Sequence, residues 1–182
     1  MATIDADQVA RQVVAWGHPA AEDICRRFGA DLYGADRTLD RVRLAKRIFD
    51  DAGERAALEA IVHPWVRKAI DTWFEELSAQ GLSVGVAAIP LLFETGRQGE
   101  FDRVAVTACE PVSQLDRLMG RDGITRDAAR KRLAAQLPTR EKTRRADFVI
   151  STDGSFEETD RKVDMFCAML LEEEGQELPS AT

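Results

Sequence analysis

The sequence predicts an α/β protein whose mostly parallel sheet is flanked by helices. Three observations carry that prediction. The run Leu82-Ser83-Val84-Gly85-Val86-Ala87-Ala88-Ile89 is apolar without alternation, the pattern of a strand buried on both faces. Two further short runs of strand type, Arg103–Ala108 and Asp147–Ile150, come later in the chain. Helical stretches separate them, and strands that alternate with helices pair in parallel, because the chain crosses back over a helix before each new strand. Ligands of such sheets collect beyond the carboxyl ends of the strands. Pro90 cannot donate to a ladder and stops the first of these strands. Leu91, Leu92 and Phe93 read as core, and Glu94 arrives at the ligand edge.

In chain order, Thr3-Ile4 reads as the end of a strand. Asp5 or Asp7 caps the helix that follows, residues 8–15, where Val9, Val13 and Trp16 keep helical spacing. Gly17-His18-Pro19 ends that helix and opens a second, which closes near Gly29. Thr38-Leu39-Asp40 opens a third, with Val42, Leu44, Ile48 and Phe49 on its apolar side. Helix runs over 54–62, breaks at His63-Pro64 and resumes to Ala79. This helical stretch is much longer than a crossover requires, so part of it forms a separate helical lobe. Thr95–Glu100 reads as a loop. Pro111 starts a helix carrying Leu115, Leu118 and Met119, which Asp122-Gly123 ends. Thr125 caps a helix over 126–136, Pro138 breaks it, and a short basic helix covers 139–145. Ser155-Phe156-Glu157-Glu158 is a capping box, and Phe156, Val163, Phe166 and Leu170 mark the buried stripe of the last helix. The expected division is one domain over 1–174 and a disordered tail over 175–182.

The 182 residues are 45% hydrophobic and 31% charged, with a formal net charge of −7. That balance disfavours general attraction to nucleic acid or to an anionic membrane, while leaving room for a local basic site that takes a nucleotide. Cys25, Cys109 and Cys167 with His18 and His63 share no metal-type spacing. Reduced thiols, the lack of a signal-peptide pattern and the lack of a membrane-length apolar run predict a cytoplasmic protein. Oligomeric state leaves no signature.

Three groups can carry chemistry. Asp5 and Asp7 flank Ala6 where a strand turns into a helix, so they face different ways. An Asp at that edge either caps the helix or accepts a proton from an attacking hydroxyl. Arg11, one turn after Asp7, either pairs with it or clamps a phosphate. Arg117, Arg121, Arg126, Arg130, Lys131, Arg132, Arg140, Lys142, Arg144 and Arg145 crowd one region of an otherwise acidic chain. They are either a solvated face or a mobile basic flap, and phosphoryl transfer consists largely of charge neutralisation and positioning. His63 either binds substrate or makes a hydrogen bond at a helix junction.

The segments Ile4–Val14, Phe28-Gly29, Leu39-Asp40-Arg41, Ile61-Val62-His63-Pro64, Pro90–Glu94, Gln114–Asp122, Ala134-Ala135-Gln136 and Ala146–Ile150 stand together in one order. In this the chain resembles the dephospho-coenzyme A kinase family, from Ile4 to Leu171. The resemblance implies a P-loop-kinase-like sheet, a helical coenzyme-binding lobe over about 13–75 and a lid over about 122–142. It implies transfer of a phosphoryl group from ATP, with Mg2+, to the ribose 3′-hydroxyl of dephospho-CoA. Asp7 matches the catalytic base and Arg121 a catalytic lid arginine. Arg11, His63, Leu91 and Glu94 fall on the substrate side, and Arg117 and Arg121 meet ATP. After Ile150, Ser151-Thr152 replace the acidic and amide residues usual in the adenine-side loop. The family begins with a strand and a Gly-x-x-x-x-Gly-Lys-Ser/Thr loop ahead of the equivalent of Ile4, and only Met1-Ala2-Thr3 precede Ile4 here. The resemblance therefore implies a member without its first strand and phosphate-binding loop, truncated and inactive as numbered. That strand would be central, so two inner strand edges would stand unpaired or close on each other. The competing readings are a non-catalytic coenzyme-binding remnant and a subunit completed by another chain.

Overall fold

The computed structural model describes residues 1–49, 51–173 and 175. They fall into two compact units, Met1–Pro90 and Leu91–Thr182. The predicted α/β class holds: four strands form two separate two-stranded parallel sheets, with helices along the chain between them.

In the first unit, β1 (Ala2–Asp5) pairs in parallel with β2 (Gly85–Ala88), Ala2 opposite Gly85 and Asp5 opposite Ala88. The helices between these strands are α1 (Ala6–Val13), α2 (Pro19–Phe28), α3 (Arg41–Phe49) and α4 (Ala52–Ala79). Their inward faces make one core around the fully buried Ile24, Leu32 and Ile70. Tyr33 closes that core from one side. Its hydroxyl donates to the Val14 carbonyl at 2.9 Å, and burial, aided by the nearby Cys25, pushes its pKa up to about 12. Gly85 marks the closest approach of α4 to β2. A Cβ there would sit 2.6 Å from Leu77 Cδ1 and 3.0 Å from ring atoms of both Phe74 and Trp73.

Several expectations need correction here. The helix over 52–79 is continuous and does not break at His63-Pro64. An interior proline costs about 3 kcal/mol, but packing against the core continues on both sides of it, through Leu58, Ile61 and Val62 before and Trp65, Val66 and Ile70 after. Burial of that face outweighs the lost hydrogen bond. The strand read over Leu82–Ile89 is shorter, and it is half-buried, with Ala88 exposed, where both faces were expected to be covered. It has one partner strand, and α4 lies against it at Gly85. Val42 of α3 is exposed, because the turn of that helix facing the core presents Leu44.

In the second unit, β3 (Ala105–Ala108) pairs in parallel with β4 (Phe148–Ser151). A small core gathers Phe93, Val104 and Val106, with Leu92, Phe101, Leu137 and Ala146 against it. After β3 comes α5 (Pro111–Asp122), closed by Gly123 at φ 62°, a left-handed position where a side chain would be strained. Thr125 caps α6 (Arg126–Ala134) by accepting from the Ala128 N–H, and α7 (Thr139–Arg145) follows Pro138. The final helix α8 (Phe156–Glu173) starts on the expected capping box: the Ser155 N–H donates to Glu158 at 2.9 Å and the Glu158 N–H to Ser155 Oγ at 3.3 Å. Its expected buried stripe is only partly realised. Phe166 packs on Phe148 with ring centroids 5.2 Å apart, but Phe156 is 88% exposed and Val163 also lies open. Phe156 belongs to the first turn, immediately after the cap. The expected tail from 175 lies, beyond Gly175, outside the described residues.

Candidate active site

One acidic group lies in the first unit, where β1 runs straight into α1. Asp5 ends the strand in extended geometry, and its Oδ1 accepts from the N–H of Asp7 at 2.8 Å and more weakly from that of Gln8 at 3.4 Å. Asp5 is therefore the cap. Asp7, in the first helical turn, is exposed, and its carboxylate is not spent on capping. The two acids have the different orientations their spacing predicted. Arg11 lies one turn on and is also exposed, and no ion pair joins it to Asp7 among the described residues. The buried face of α1 is Ala6, Val9 and Val13, so Asp7 and Arg11 remain on the solvent side. His63 is exposed in mid-helix on α4, one residue before Pro64. It is not at a helix junction.

A separate basic group lies in the second unit. Arg117 on α5 spans to the residue after β4, donating to Thr152 Oγ1 at 3.0 Å and to the Thr152 carbonyl at 2.7 Å. Thr152, which the sequence resemblance sets in an adenine-side loop, anchors an arginine here. Arg121, whose side chain is 74% exposed, donates through Nε to Asp122 Oδ1 at 2.8 Å. Arg132 of α6 reaches the other oxygen of the same carboxylate. Hydrogen bonding from Arg121, with further help from Arg132, holds the Asp122 carboxyl below its ordinary value against a smaller effect of burial. Arg117 and Arg121 share a helix face, and their described partners are Thr152 and Asp122 respectively.

Leu91 is exposed and Phe93 is buried, so of the three residues read as core Phe93 alone is fully covered. Glu94 accepts on Oε1 from the Leu137 N–H at 2.9 Å and from Lys142 Nζ at 2.7 Å. Burial works to raise its carboxyl, but the Lys142 ammonium and the Leu137 N–H outweigh that and hold it below the usual range. Sequence reasoning missed Asp122 as the shared partner of two arginines and Lys142 as the partner of Glu94. The second pair is separated by 48 positions, beyond any local spacing rule, and only the fold joins it. Among the described residues, no group of three or more His, Cys, Asp or Glu side chains could hold a metal ion. No described helix is long and apolar enough to cross a membrane.

Parallel strand pairs that lead from their carboxyl ends into helices bearing acids or arginines define an α/β protein of the kind that solved kinase structures share. A crystal structure of TT1252 from Thermus thermophilus superposes with a TM-score of 0.75 at 33% identity, covering 93% of this chain and 84% of that one. The dephospho-CoA kinase from Campylobacter jejuni gives a TM-score of 0.68 at 27% identity, covering 93% and 85%. The family model for dephospho-CoA kinase matches residues 1–158. The dephospho-CoA kinase of Anaeromyxobacter dehalogenans is 43% identical over 178 residues, 98% of this chain and 84% of the relative. That of Bacillus cereus is 40% identical over 162 residues, 89% and 81% respectively. The chain belongs to the dephospho-CoA kinase family. The expectation that it stands apart from that family by a missing first strand and phosphate-binding loop is not borne out by these matches.

Proposed function

We propose that this protein transfers the γ-phosphoryl group of ATP to the ribose 3′-hydroxyl of dephospho-CoA, with Asp7 as general base. The observation that carries the proposal is the division of labour at the start of α1. Asp5 takes the cap, which leaves the Asp7 carboxylate exposed at the carboxyl edge of the β1–β2 pair. In the reaction Asp7 accepts the hydroxyl proton, the freed oxygen forms the new O–P bond, and the bond between the γ-phosphorus and the bridging oxygen breaks to release ADP. Arg11, His63 and Leu91 are assigned to the dephospho-CoA side, and His63 falls within the helical lobe over about 13–75. Arg117 and Arg121 are assigned to ATP. Guanidinium suits phosphate because its fork offers several donors in one plane, and Arg117 is already oriented by its two bonds to Thr152.

Magnesium, when bound to the nucleotide, supplies charge neutralisation at the phosphates. Mg2+ commonly takes one or two carboxylates beside substrate phosphates. With no metal-type cluster among the described residues, no residue of this chain is assigned to it. Segment 122–142, bounded by the Gly123 turn and Pro138, is the lid. We place the protein in the cytoplasm, with neither nucleic acid nor membrane as a partner.

The test is steady-state kinetics of the full-length enzyme with ATP varied. Arg121→Ala lowers kcat strongly. Arg117→Ala raises KM for ATP and lowers kcat, since it removes both the guanidinium and its tie to Thr152. Lys131→Ala, on the exposed side of α6, changes little. Equal, mild effects at all three positions would reduce the basic cluster to a solvated surface. Binding of dephospho-CoA without any phosphorylation would mark a non-catalytic coenzyme-binding protein.

A further inference from the structure

Glu94 is engaged in a way that contact with substrate does not explain. Its backbone sits in a tight turn after β2, where the Thr95 N–H donates to the Leu91 carbonyl at 3.0 Å and the Arg97 N–H to the Leu92 carbonyl at 3.1 Å. Thr95 Oγ1 adds a second donor to the Leu91 carbonyl at 2.8 Å. The neighbouring Phe93 is buried in the small core of the second unit, and Leu137 packs on that same core. Glu94 therefore leaves a fixed base and points at a fixed target.

The target is the junction between α6 and α7. Leu137 stands after the end of α6 at Ala134 and just before Pro138, which has no N–H of its own. Its N–H lies outside both helical ladders, and Glu94 Oε1 accepts from it at 2.9 Å. The same oxygen receives Lys142 Nζ, from the middle of α7, at 2.7 Å. The side chains of Lys142 and Glu94 are only 14% and 20% exposed, so this pair is shielded where the other arginine–carboxylate pairs of the basic segment are open. One carboxylate thus ties the link between α6 and α7 to the body of α7.

We propose that Glu94 is a positioning residue that fixes the carboxyl-terminal hinge of the basic segment 122–142. The proposal rests on the reading of that segment as the lid over ATP. Glu94 holds Leu137 and Lys142 in place, and the arginines of α6 then swing from an anchored end. Hydrogen bonds to charged groups are among the stronger ones, and a shielded ion pair is weakened little by salt. Loss of the carboxylate frees the hinge without removing any arginine.

The experiment uses the full-length enzyme and four variants: Glu94→Ala, Glu94→Gln, Lys142→Met, and the double variant Glu94→Ala with Lys142→Met. Trypsin cleavage within Arg126–Arg132 is followed by mass spectrometry, alongside kinetics with each substrate varied. Glu94→Ala is expected to raise cleavage in α6 about tenfold, the scale of one lost charge-assisted hydrogen bond. It lowers kcat and raises KM for ATP, with KM for dephospho-CoA unchanged. Glu94→Gln, which keeps an acceptor for the Leu137 N–H, gives a smaller effect. The double variant opens α6 no further than Glu94→Ala alone. The proposal is overturned if cleavage in α6 is unchanged, if it rises equally throughout the second unit, or if only KM for dephospho-CoA rises, which would make Glu94 a substrate contact. Faster cleavage in α6 with no kinetic change for either substrate would keep the hinge and overturn the lid reading of 122–142.

Discussion

The two acids at the start of α1 can be separated by a pair of measurements. Asp5→Ala removes one well-formed hydrogen bond, to the Asp7 N–H at 2.8 Å, and a weaker one to Gln8 at 3.4 Å. Loss of an N-cap costs about 1 kcal/mol. Removing a negative charge from a helix start adds about 0.3–1 kcal/mol, so the total is about 1–2 kcal/mol. Asp5→Asn keeps the acceptor and should lie within a few tenths of the parent on the capping scale. Asp7→Asn gives up only the charge near the helix start, about 0.5 kcal/mol, because no cap bond is made by its side chain. Its effect on turnover is a loss of about 10²-fold or more, the usual scale of a missing general base. Urea unfolding gives the stabilities and steady-state kinetics of the full-length enzyme gives the rates. The expected pattern is crossed: Asp5→Ala is unstable with kcat largely retained, and Asp7→Asn is stable with kcat lost. The reasoning fails if Asp7→Asn keeps its turnover, or if it unfolds as readily as Asp5→Ala.

Gly85→Ala should lower stability by about 1–3 kcal/mol, the range for an overpacked core, because the new methyl meets Leu77, Phe74 and Trp73; a urea midpoint at or above that of the parent would show that α4 shifts freely. Arg37 sits at φ 63° with its guanidinium 5.6 Å from the centroid of the Trp16 ring. Arg37→Ala loses that stacking and keeps the strain, so it should destabilise by about 0.5–1 kcal/mol. Arg37→Gly relieves about 1–2 kcal/mol of left-handed strain while giving up the stacking and adding chain entropy, so it should come out close to the parent and above Arg37→Ala in thermal melts. The depressed pKa of Glu94 makes a stabilising contribution that is complete above its ordinary value of 4.5 and is lost as pH falls through the lowered folded value. The stability gap between the parent and Glu94→Gln should therefore shrink as the pH falls below about 4.5, and a gap that stays constant through acid unfolding experiments would show that Lys142 does not stabilise the charge.

Local chemistry made much of the fold legible. Thr125, Gly123, Pro138 and the Ser155–Glu158 capping box act within a few residues of themselves, so their helices begin or end where the spacing said. Pro64 was read by the same local rule and misled, because the rule weighs one lost hydrogen bond and the fold weighs a whole buried face. Val42, Phe156 and Val163 have helical spacing but lie open. Periodicity shows that a helix has an apolar side, and the neighbours packed against it decide how much of that side is covered.

The same division holds at the site. The alternation of strands and helices, the placement of Asp5 and Asp7 on different faces of a strand-to-helix turn, and the crowding of basic residues over 117–145 follow from residue order alone. Spacing along the chain is enough for each of these, since the backbone periods set which way near neighbours point. The folded chain was needed to see that Asp5 is the cap and Asp7 is not, that Arg117 is tied to Thr152, that Asp122 takes both Arg121 and Arg132, and that Glu94 holds Leu137 and Lys142. The ties of Arg117 to Thr152 and of Glu94 to Leu137 and Lys142 join residues 35 or more positions apart. A hydrogen bond acts over about 3 Å, and the order of residues says nothing about which distant groups the packed core will bring within that reach.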